Sequence, residues 1–259
     1  MDTEPTITPT DDDYEPSQPP QPRRLRRLWV IAAAGAVACG VALVAAAASA
    51  PEFYRARLPV GGPLDGRDPL TAAAAAEQSA RRLVTRVASL HSAVLEVGRW
   101  EAAFSERELN AFLALDLPRN HAAVLPTGCR DPRIEFLPGR LRAAMRVGRG
   151  GLCATLWVEA EVTLQGANQL RIGLAQARLG LVPVPAGPVL GGIARWLERL
   201  GAVTEIRRGG GRGVLVVYIP AIHQAGGASH WLEALRLAAG EAAVAGETRR
   251  GAVGPAAQR

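Results

Sequence analysis

The sequence contains no lysine, so all 30 of its basic residues are arginine. It is also poor in aromatic residues, which make up 5% of the chain. Proteins that bind single-stranded nucleic acid usually stack the bases on aromatic side chains, so we expect no nucleic-acid partner. Apolar residues are plentiful, at 48% of 259 positions, which is enough for one sizeable domain or two small ones.

Charge is divided unequally along the chain. Residues 1–27 hold six acidic residues and four arginines, which leaves 26 arginines and 18 acidic residues, a net charge of +8, for the remainder. A domain with that charge is attracted to anionic lipid headgroups and to other polyanions of a cell envelope. The attraction is screened by salt and is not specific.

The chain has three cysteines, of which Cys39 lies inside a long apolar run and Cys129 and Cys153 follow it. Disulfides persist in oxidising compartments outside the cytoplasm. Cys129 and Cys153 are therefore a candidate disulfide pair if this part of the chain is exported. Spacing in the sequence does not show whether their Cα atoms lie close enough for a bond, so the bonded and the free state both stay open at this point.

The longest uncharged stretch runs from Leu28 to Ala50. Its 23 residues, at about 1.5 Å of rise each in a helix, would cross a hydrocarbon core about 30 Å thick. A basic cluster precedes the stretch, and the positive-inside rule keeps such a cluster in the cytoplasm. We therefore predict a single transmembrane helix with a cytoplasmic N-terminus and an extracytoplasmic C-terminal domain. The membrane-anchor flank consists of Arg23, Arg24, Arg26 and Arg27.

Two alternatives remain for this stretch. The first is a cleaved signal peptide, because Ala48-Ser49-Ala50 has the small-x-small form of a cleavage site. The second is a lipoprotein, in which Cys39 would be the modified residue. The long acidic segment before the run, and the length of the run itself, favour an uncleaved anchor over a signal peptide. Ala36 stands three positions before Cys39, where a lipoprotein usually has leucine.

Composition divides the chain into five segments. Residues 1–22 are rich in Pro, Thr and Asp and are predicted to form a disordered cytoplasmic tail. Residues 23–50 contain the basic flank and the transmembrane helix, and residues 51–69 form a Gly- and Pro-rich linker. Residues 70–248 are predicted to form an extracytoplasmic α+β domain, and residues 249–259 a second disordered tail.

Two helices are predicted in the first part of the domain. An apolar stripe at helical spacing indicates a helix that begins near Thr71. The stripe consists of Leu83, Val87, Leu90 and Val94. Ser105 and Glu108 fit a capping box and predict a helix from Glu106 to about Asp116, which Pro118 ends.

From Arg133 onward the apolar residues recur at every second position, which is typical of strands with one buried face. The alternation extends over residues 152–164, continues after a turn at residues 165–168, and slips by one position near Gln176, where we expect a bulge. Such strands form an antiparallel sheet whose apolar face needs a cover or an apolar ligand. The candidate apolar ligand face consists of Leu156, Val158, Val162, Ile172 and Leu174.

The predicted fold class is α+β: one N-terminal transmembrane helix, then a long antiparallel curved sheet covered by amphipathic helices. Val189–Leu200 is one of these covering helices, because its apolar residues form a single stripe. Val203–Arg207 and Gly213–Ile219 are predicted to pair as a hairpin. Residues 232–248 are rich in alanine, but their alternation before Ala239 favours a second hairpin.

Three pieces of the chain together resemble a known kind of domain. They are the Phe104–Leu113 segment, the paired long strands, and Leu179–Pro185 before a helix. The combination is similar to uncharacterised single-pass exported bacterial domains related to the tubular lipid-binding superfamily, over about residues 95–248. The resemblance implies a lipid acyl chain held between a curved sheet and a helix, with no catalytic residue. The scarcity of aromatic residues and the short chain suggest a half-sized groove in place of a full tunnel.

No motif predicts a catalytic, cofactor or metal site. The four histidines are not at metal-ligand spacing; they are His91, His121, His223 and His230. Glu159 and Glu161 would lie about 7 Å apart on one strand face, but a solvated polar face explains them more simply. The glycine-rich segment Gly209–Gly213 lacks the Lys-Ser/Thr of a phosphate loop. We expect a protein that is not an enzyme and has no cofactor.

Two functions are in competition. The first is a membrane-anchored extracytoplasmic domain that binds lipid or another apolar envelope ligand, with the lipid bilayer as its other partner. The alternative is an envelope scaffold that binds another protein through the Leu83 helix stripe or an exposed strand edge. An apolar cleft between the sheet and its covering helix would favour the first function, and a closed core the second.

Overall fold

The computed structural model describes residues 42, 45–56, 69–149, 152–209, 212–220 and 228–250. All elements named below belong to one compact unit that begins at residue 44. The helices of the described residues are α1 (Glu52–Ala56), α2 (Pro69–Leu95), α3 (Glu106–Asn120), a 3-10 turn (Ala122–Val124) and α4 (Ala186–Arg199). The strands are β1 (Gly98–Ser105), β2 (Cys129–Leu137), β3 (Arg140–Arg149), β4 (Leu152–Gly166), β5 (Gln169–Leu179), β6 (Val182–Pro183), β7 (Val203–Gly209), β8 (Arg212–Tyr218), β9 (Ala228–Ala238) and β10 (Glu241–Arg250).

The larger sheet has the antiparallel strand order β2-β3-β4-β5-β8-β7, and β6 pairs with β5 beside this row. Ala143 lies opposite Val158, and Val158 lies opposite Ala177, so the alternation of β4 extends across its neighbours. Between Glu159 and Ala160 the register with β5 shifts by one residue, which confirms the bulge predicted near Gln176. The side that carries Val158 is called the apolar face below, and the side that carries Trp157 the polar face.

The smaller sheet has the order β1-β10-β9. Its β9–β10 hairpin confirms the one predicted for residues 232–248. β1 pairs with β10 along its whole length, although the two strands lie near opposite ends of the domain sequence. Gly246 lies at a register shift beneath the Trp100 ring, and a Cβ at this position would overlap both that ring and the Trp231 carbonyl.

The predicted fold class is wrong. The described chain is mainly antiparallel sheet, divided between two sheets and not joined in one long curved sheet. The division arises because β1 pairs with β10. The periodicity within each strand does not reveal this pairing. None of the helices in the described ranges is long and apolar enough to cross a bilayer. Most of the predicted span, Leu28–Ala50, lies outside the described residues.

The end of that predicted span packs against the larger sheet. The Ala46 carbonyl accepts a hydrogen bond of 2.9 Å from the Leu181 amide. The close approach requires glycine at position 180, which has φ of +60° and no room for a Cβ beside Ala46. α1 follows within the segment predicted to be a linker, and its Phe53 and Tyr54 are buried. Residues 45–56 are therefore part of the folded domain.

α4 covers one half of the apolar face. It packs on β5, β7 and β8, and its Leu190 is completely buried against Leu174 and Leu215. Leu190 also lies so close to Gly213 that a Cβ there would overlap its side chain. This confirms the predicted amphipathic helix and its contact with the sheet.

α3 lies along the outer edge of β2. Its capping box is confirmed, with the Ser105 hydroxyl accepting from the Glu108 amide at 3.2 Å. The side-chain amide of Asn110 forms two hydrogen bonds with the backbone of Ile134. Its Nδ2 donates to the Ile134 carbonyl at 2.8 Å, and its Oδ1 accepts from the Ile134 N–H at 2.9 Å. Pro118 was expected to end this helix, but α3 continues to Asn120 because the His121 amide closes the last turn on the Leu117 carbonyl.

We expect Asn110→Ala to lower the free energy of unfolding by about 1–3 kcal/mol, because the Ile134 amide and carbonyl lose their hydrogen-bond partner at the sheet edge. Urea unfolding monitored by circular dichroism measures the change. Asn120→Ala is the matched control, since Asn120 is exposed and bonds to Asp116 within the same helix. Equal stability losses in the two variants would contradict the role given to Asn110.

Candidate functional site

The five residues predicted to form an apolar ligand face do share one side of the larger sheet. Val162 lies opposite Ile172, and Ala160 lies opposite Leu174, so the side chains of β4 and β5 with the same parity point to the same face. Leu156 belongs to this set through its pairing with Leu179.

Most of that predicted face is filled by the protein itself. Leu174 belongs to the core under α4, and three others pack against this core while staying partly exposed. These three are Val158, Val162 and Ile172. α4 therefore covers this part of the apolar face, and the predicted residues there serve the core of the protein.

The other half of the apolar face, on β3 and β4, lies outside the core under α4. Met145 is opposite Leu156, and Leu141 is opposite Ala160, so these side chains form a row across the two strands. The row, called the β3–β4 apolar row below, consists of Leu141, Ala143, Met145 and Leu156, all of them partly buried. The helix–strand contacts described above place α4 on β5, β7 and β8, and α3 on β2, to either side of this row.

The polar face behind this row carries a cluster of ion pairs. Glu159 is 8% exposed, and its carboxylate accepts from Arg142 at 2.8 Å and from Arg140 at 3.0 Å. Arg142 also pairs with Glu135 of β2 at 3.2 Å. The hydrogen bond from Arg142 holds the pKa of the Glu159 carboxyl below its ordinary value. The expectation of a solvated polar face is therefore wrong at Glu159, although Glu161 is exposed.

Next to this cluster, the polar face is covered by α1. Tyr54 is 1% exposed, and its hydroxyl donates to the Asp131 carbonyl at 3.0 Å. Burial raises the pKa of Tyr54, so that the hydroxyl stays protonated as a donor. The Phe53 ring packs edge-on against Trp157 with ring centroids 6.2 Å apart, and the Arg178 guanidinium lies 5.7 Å from the Trp157 ring centroid. This arrangement attaches α1 to the polar face of the sheet.

The two candidate disulfide residues are free thiols. Cys129 pairs with Val147 on the apolar side, whereas Cys153 follows the parity of Trp157 on the polar side. One strand separates β2 from β4, so the two Cα atoms lie about 9.5 Å apart, beyond the roughly 7 Å that a disulfide spans. Burial raises the pKa of the Cys129 thiol, and Arg130 donates to the Cys153 sulfur at 2.8 Å.

The histidines that the structure describes are dispersed. His230 is buried, with Nδ1 2.9 Å from the Thr248 hydroxyl, which in turn donates to the Val94 carbonyl at 2.7 Å. His91 and His121 are exposed, and His223 lies outside the described residues. No group of three or more potential ligand side chains converges for a metal ion in the described ranges.

The predicted anchor flank, Arg23, Arg24, Arg26 and Arg27, lies outside the described residues, as does Cys39. Sequence reasoning missed the packing of α1 on the polar face. One signal was present, since Phe53 and Tyr54 bring two of the few aromatic residues into a segment otherwise typical of a linker.

The chain matches no protein-family model, and no curated protein and no solved structure is significantly similar to it.

We expect Glu159→Gln to lower the free energy of unfolding by about 1–3 kcal/mol at pH 7, because Arg140 and Arg142 lose the carboxylate between them. A carboxyl whose pKa is lowered on folding stabilises the protein above its ordinary pKa, here 4.5, and this contribution is lost as the pH falls through the lowered value. The difference between parent and variant should therefore shrink below about pH 4.5.

Urea unfolding between pH 7 and pH 3 measures both effects. Glu161→Gln is the matched control, because Glu161 lies on the same strand and face but is exposed. A stability difference between parent and Glu159→Gln that is independent of pH would argue against the ion-pair cluster as its source.

Proposed function

We propose that this protein is a non-catalytic binding domain that holds an apolar ligand, most simply a lipid acyl chain, on the β3–β4 apolar row. The observation that carries the proposal is the contrast between the two halves of one sheet face. α4 packs on the β5–β8 half around the fully buried Leu190 and Leu215, whereas Leu141, Met145 and Leu156 on the other half lie outside that core and stay partly exposed. Partly exposed apolar side chains in a continuous row mark a binding surface for apolar partners.

The geometry of the row suits a chain-like ligand. Side chains of the same parity on one strand are about 7 Å apart along the strand, so β3 offers a linear series from Leu141 through Ala143 to Met145. Small Ala143 lies between the larger side chains of Leu141 and Met145 along β3 and opposite Val158 of β4. A flexible acyl chain can pack along such a row of apolar side chains without requiring directional hydrogen bonds.

Binding without catalysis is supported by the ion pairs and the lowered pKa of the nearest buried carboxylate. Glu159 is the buried acid of β4, and hydrogen bonds from Arg142 and Arg140 hold the pKa of its carboxyl below the ordinary value. A general acid or base instead needs a pKa close to the working pH. Glu161, two residues further on, is exposed.

We further propose that the domain works at a membrane, on its extracytoplasmic side. The arginine cluster from Arg23 to Arg27 before an uncharged run supports this location. The hydrogen bond between Ala46 and Leu181 restricts any membrane-embedded part of the run to residues before Ala45. Recovery of a tagged full-length chain in the soluble cytosolic fraction would overturn this part of the proposal.

We expect Leu156→Glu to reduce the lipid that copurifies with the full-length chain by about tenfold or more, because a carboxylate in the row would be desolvated by a bound acyl chain. Organic extraction followed by mass spectrometry measures the bound lipid. Titration with a fluorescent fatty acid gives the affinity of each variant.

Two variants serve as controls for this experiment. Leu156→Met keeps the apolar character and should retain binding. Val97→Glu introduces the same charge at an exposed position between α2 and β1, away from the larger sheet. If no lipid is found in the parent, or if Leu156→Glu binds as much as the parent does, the row is not an acyl-chain site.

A second function, that of a protein-binding scaffold, is favoured by the outer surface of α2. Leu83 packs inward and is 3% exposed, but Val84 and Val87 on the same helix are about half exposed. The predicted stripe is therefore only partly used within the domain, and the remainder is available to a partner helix. Absence of lipid in the extraction experiment would favour this alternative.

A further inference from the structure

At three of the four ends of the two strand orders, side chains from elsewhere in the domain hydrogen-bond to backbone groups of the outer strand. At β2, Asn110 bonds to both backbone groups of Ile134, and the Glu106 carboxylate accepts from the Phe136 amide at 2.8 Å. At β9, Asn168 bonds to the Leu232 amide and the His230 carbonyl. At β1, the Arg86 side chain of α2 donates to the Ala103 carbonyl.

The fourth edge, the outer side of β7, is open. β7 pairs with β8 on one side, and no hydrogen bond from another described segment reaches its outer backbone groups. An open strand edge presents a row of unpaired amides and carbonyls that can pair with a further strand. Since side chains of α3 already bond to the backbone of β2 at the other end of the larger sheet, β7 is the place where this sheet can grow.

The side chains of β7 are unusual for a solvent-exposed edge. Val203 is 60% exposed and Ile206 is 43% exposed, and Leu200 just before the strand is also exposed. Between these apolar residues, Glu205 and Arg207 form an ion pair of 2.8 Å. Edges that resist pairing usually carry charges that repel a second strand, whereas this edge combines apolar residues with charges of both signs, one from Glu205 and two from Arg207 and Arg208.

We infer that β7 pairs antiparallel with β7 of a second copy of this chain, around a twofold axis at Ile206. In this register Ile206 lies opposite Ile206 of the other copy on the apolar side. Glu205 lies opposite Arg207 of the other copy on the polar side, and the reverse pair completes the symmetry. The two larger sheets then join into one continuous sheet.

Charge selects both the partner and the register. If the axis moved by one residue to Glu205, that carboxylate would face its own copy, and at Arg207 the two guanidinium groups would face each other. Like charges directly opposite each other across strands are destabilising. The register centred on Ile206 avoids both contacts and makes a cluster of four alternating charges. The edge is therefore complementary to itself, as a twofold interface requires.

The inferred dimer is tested with variants of the full-length chain in which the charges at positions 205 and 207 are reversed, singly or together. Light scattering measures the mass of each purified variant over a range of concentrations. The parent should pass from 27.2 kDa to twice that mass as the concentration rises. Glu205→Arg or Arg207→Glu alone should raise the dissociation constant by about tenfold or more, because each places like charges in two opposed pairs. The double variant E205R/R207E should restore the dimer, because it is self-complementary again.

The matched control is Glu247→Arg. Glu247 and Arg249 form the same type of ion pair, also at 2.8 Å, but on β10, which lies between two other strands. This variant should not change the dissociation constant. Circular dichroism of each variant checks that it is folded, and the recovery in E205R/R207E separates loss of the dimer from loss of the fold.

Crosslinking provides a second and independent measurement of the register. Ile206→Cys should give a disulfide-linked dimer on mild oxidation, because residues on the axis have Cβ atoms about 5 Å apart. Thr204→Cys should not, because its two copies would be about 13 Å apart. A parent chain that stays monomeric at all concentrations, a dimer unaffected by Glu205→Arg, or a Thr204→Cys crosslink as efficient as that of Ile206→Cys would overturn the inference.

Discussion

The strict alternation of side chains along β4 is the constraint on which the rest of this structure depends. Because successive residues of a strand point to opposite faces, Val158 enters the core beneath α4 while its neighbour Glu159 joins two arginines on the other side. A shift of one residue in either neighbouring ladder would place arginines in the core and leucines in the ion-pair cluster. The bulge opposite Glu159 allows β5 to keep its apolar residues inward after the register changes.

Local features of the fold could be predicted because their causes are local. The capping box at Ser105 satisfies amides within its own first turn, and the alternation of β4 requires no knowledge of a partner. The division into two sheets could not be predicted in this way, because the pairing of β1 with β10 joins distant parts of the chain. The sequence predicts no strand at β1, whose alternation consists of only three apolar residues, Trp100, Ala102 and Phe104.

Of the five residues predicted to form the apolar ligand face, only Leu156 belongs to the β3–β4 apolar row. Parity alone placed five apolar residues on one face, and they do lie there. Which of them stay accessible depends on where α4 packs, and an amphipathic pattern indicates that a helix has a buried side without showing what it covers. The burial of Glu159 depends likewise on Arg140 and Arg142 of the neighbouring strand, a contact that the sequence of β4 does not contain.

The positions of the helices connect the open apolar row with the open edge. α3 uses Asn110 and Glu106 to close the backbone of β2, so it lies at the rim of the larger sheet. α4 covers the opposite half, where Leu190 fills the space beside Gly213. β3 and β4 lie between the two helices. β7 is the last strand at the end of the sheet opposite β2. A rim helix that satisfies one strand edge cannot also cover the centre of the sheet or the far edge. The partly exposed row and the open outer edge of β7 therefore follow from one distribution of helices, although each would bind a different kind of partner.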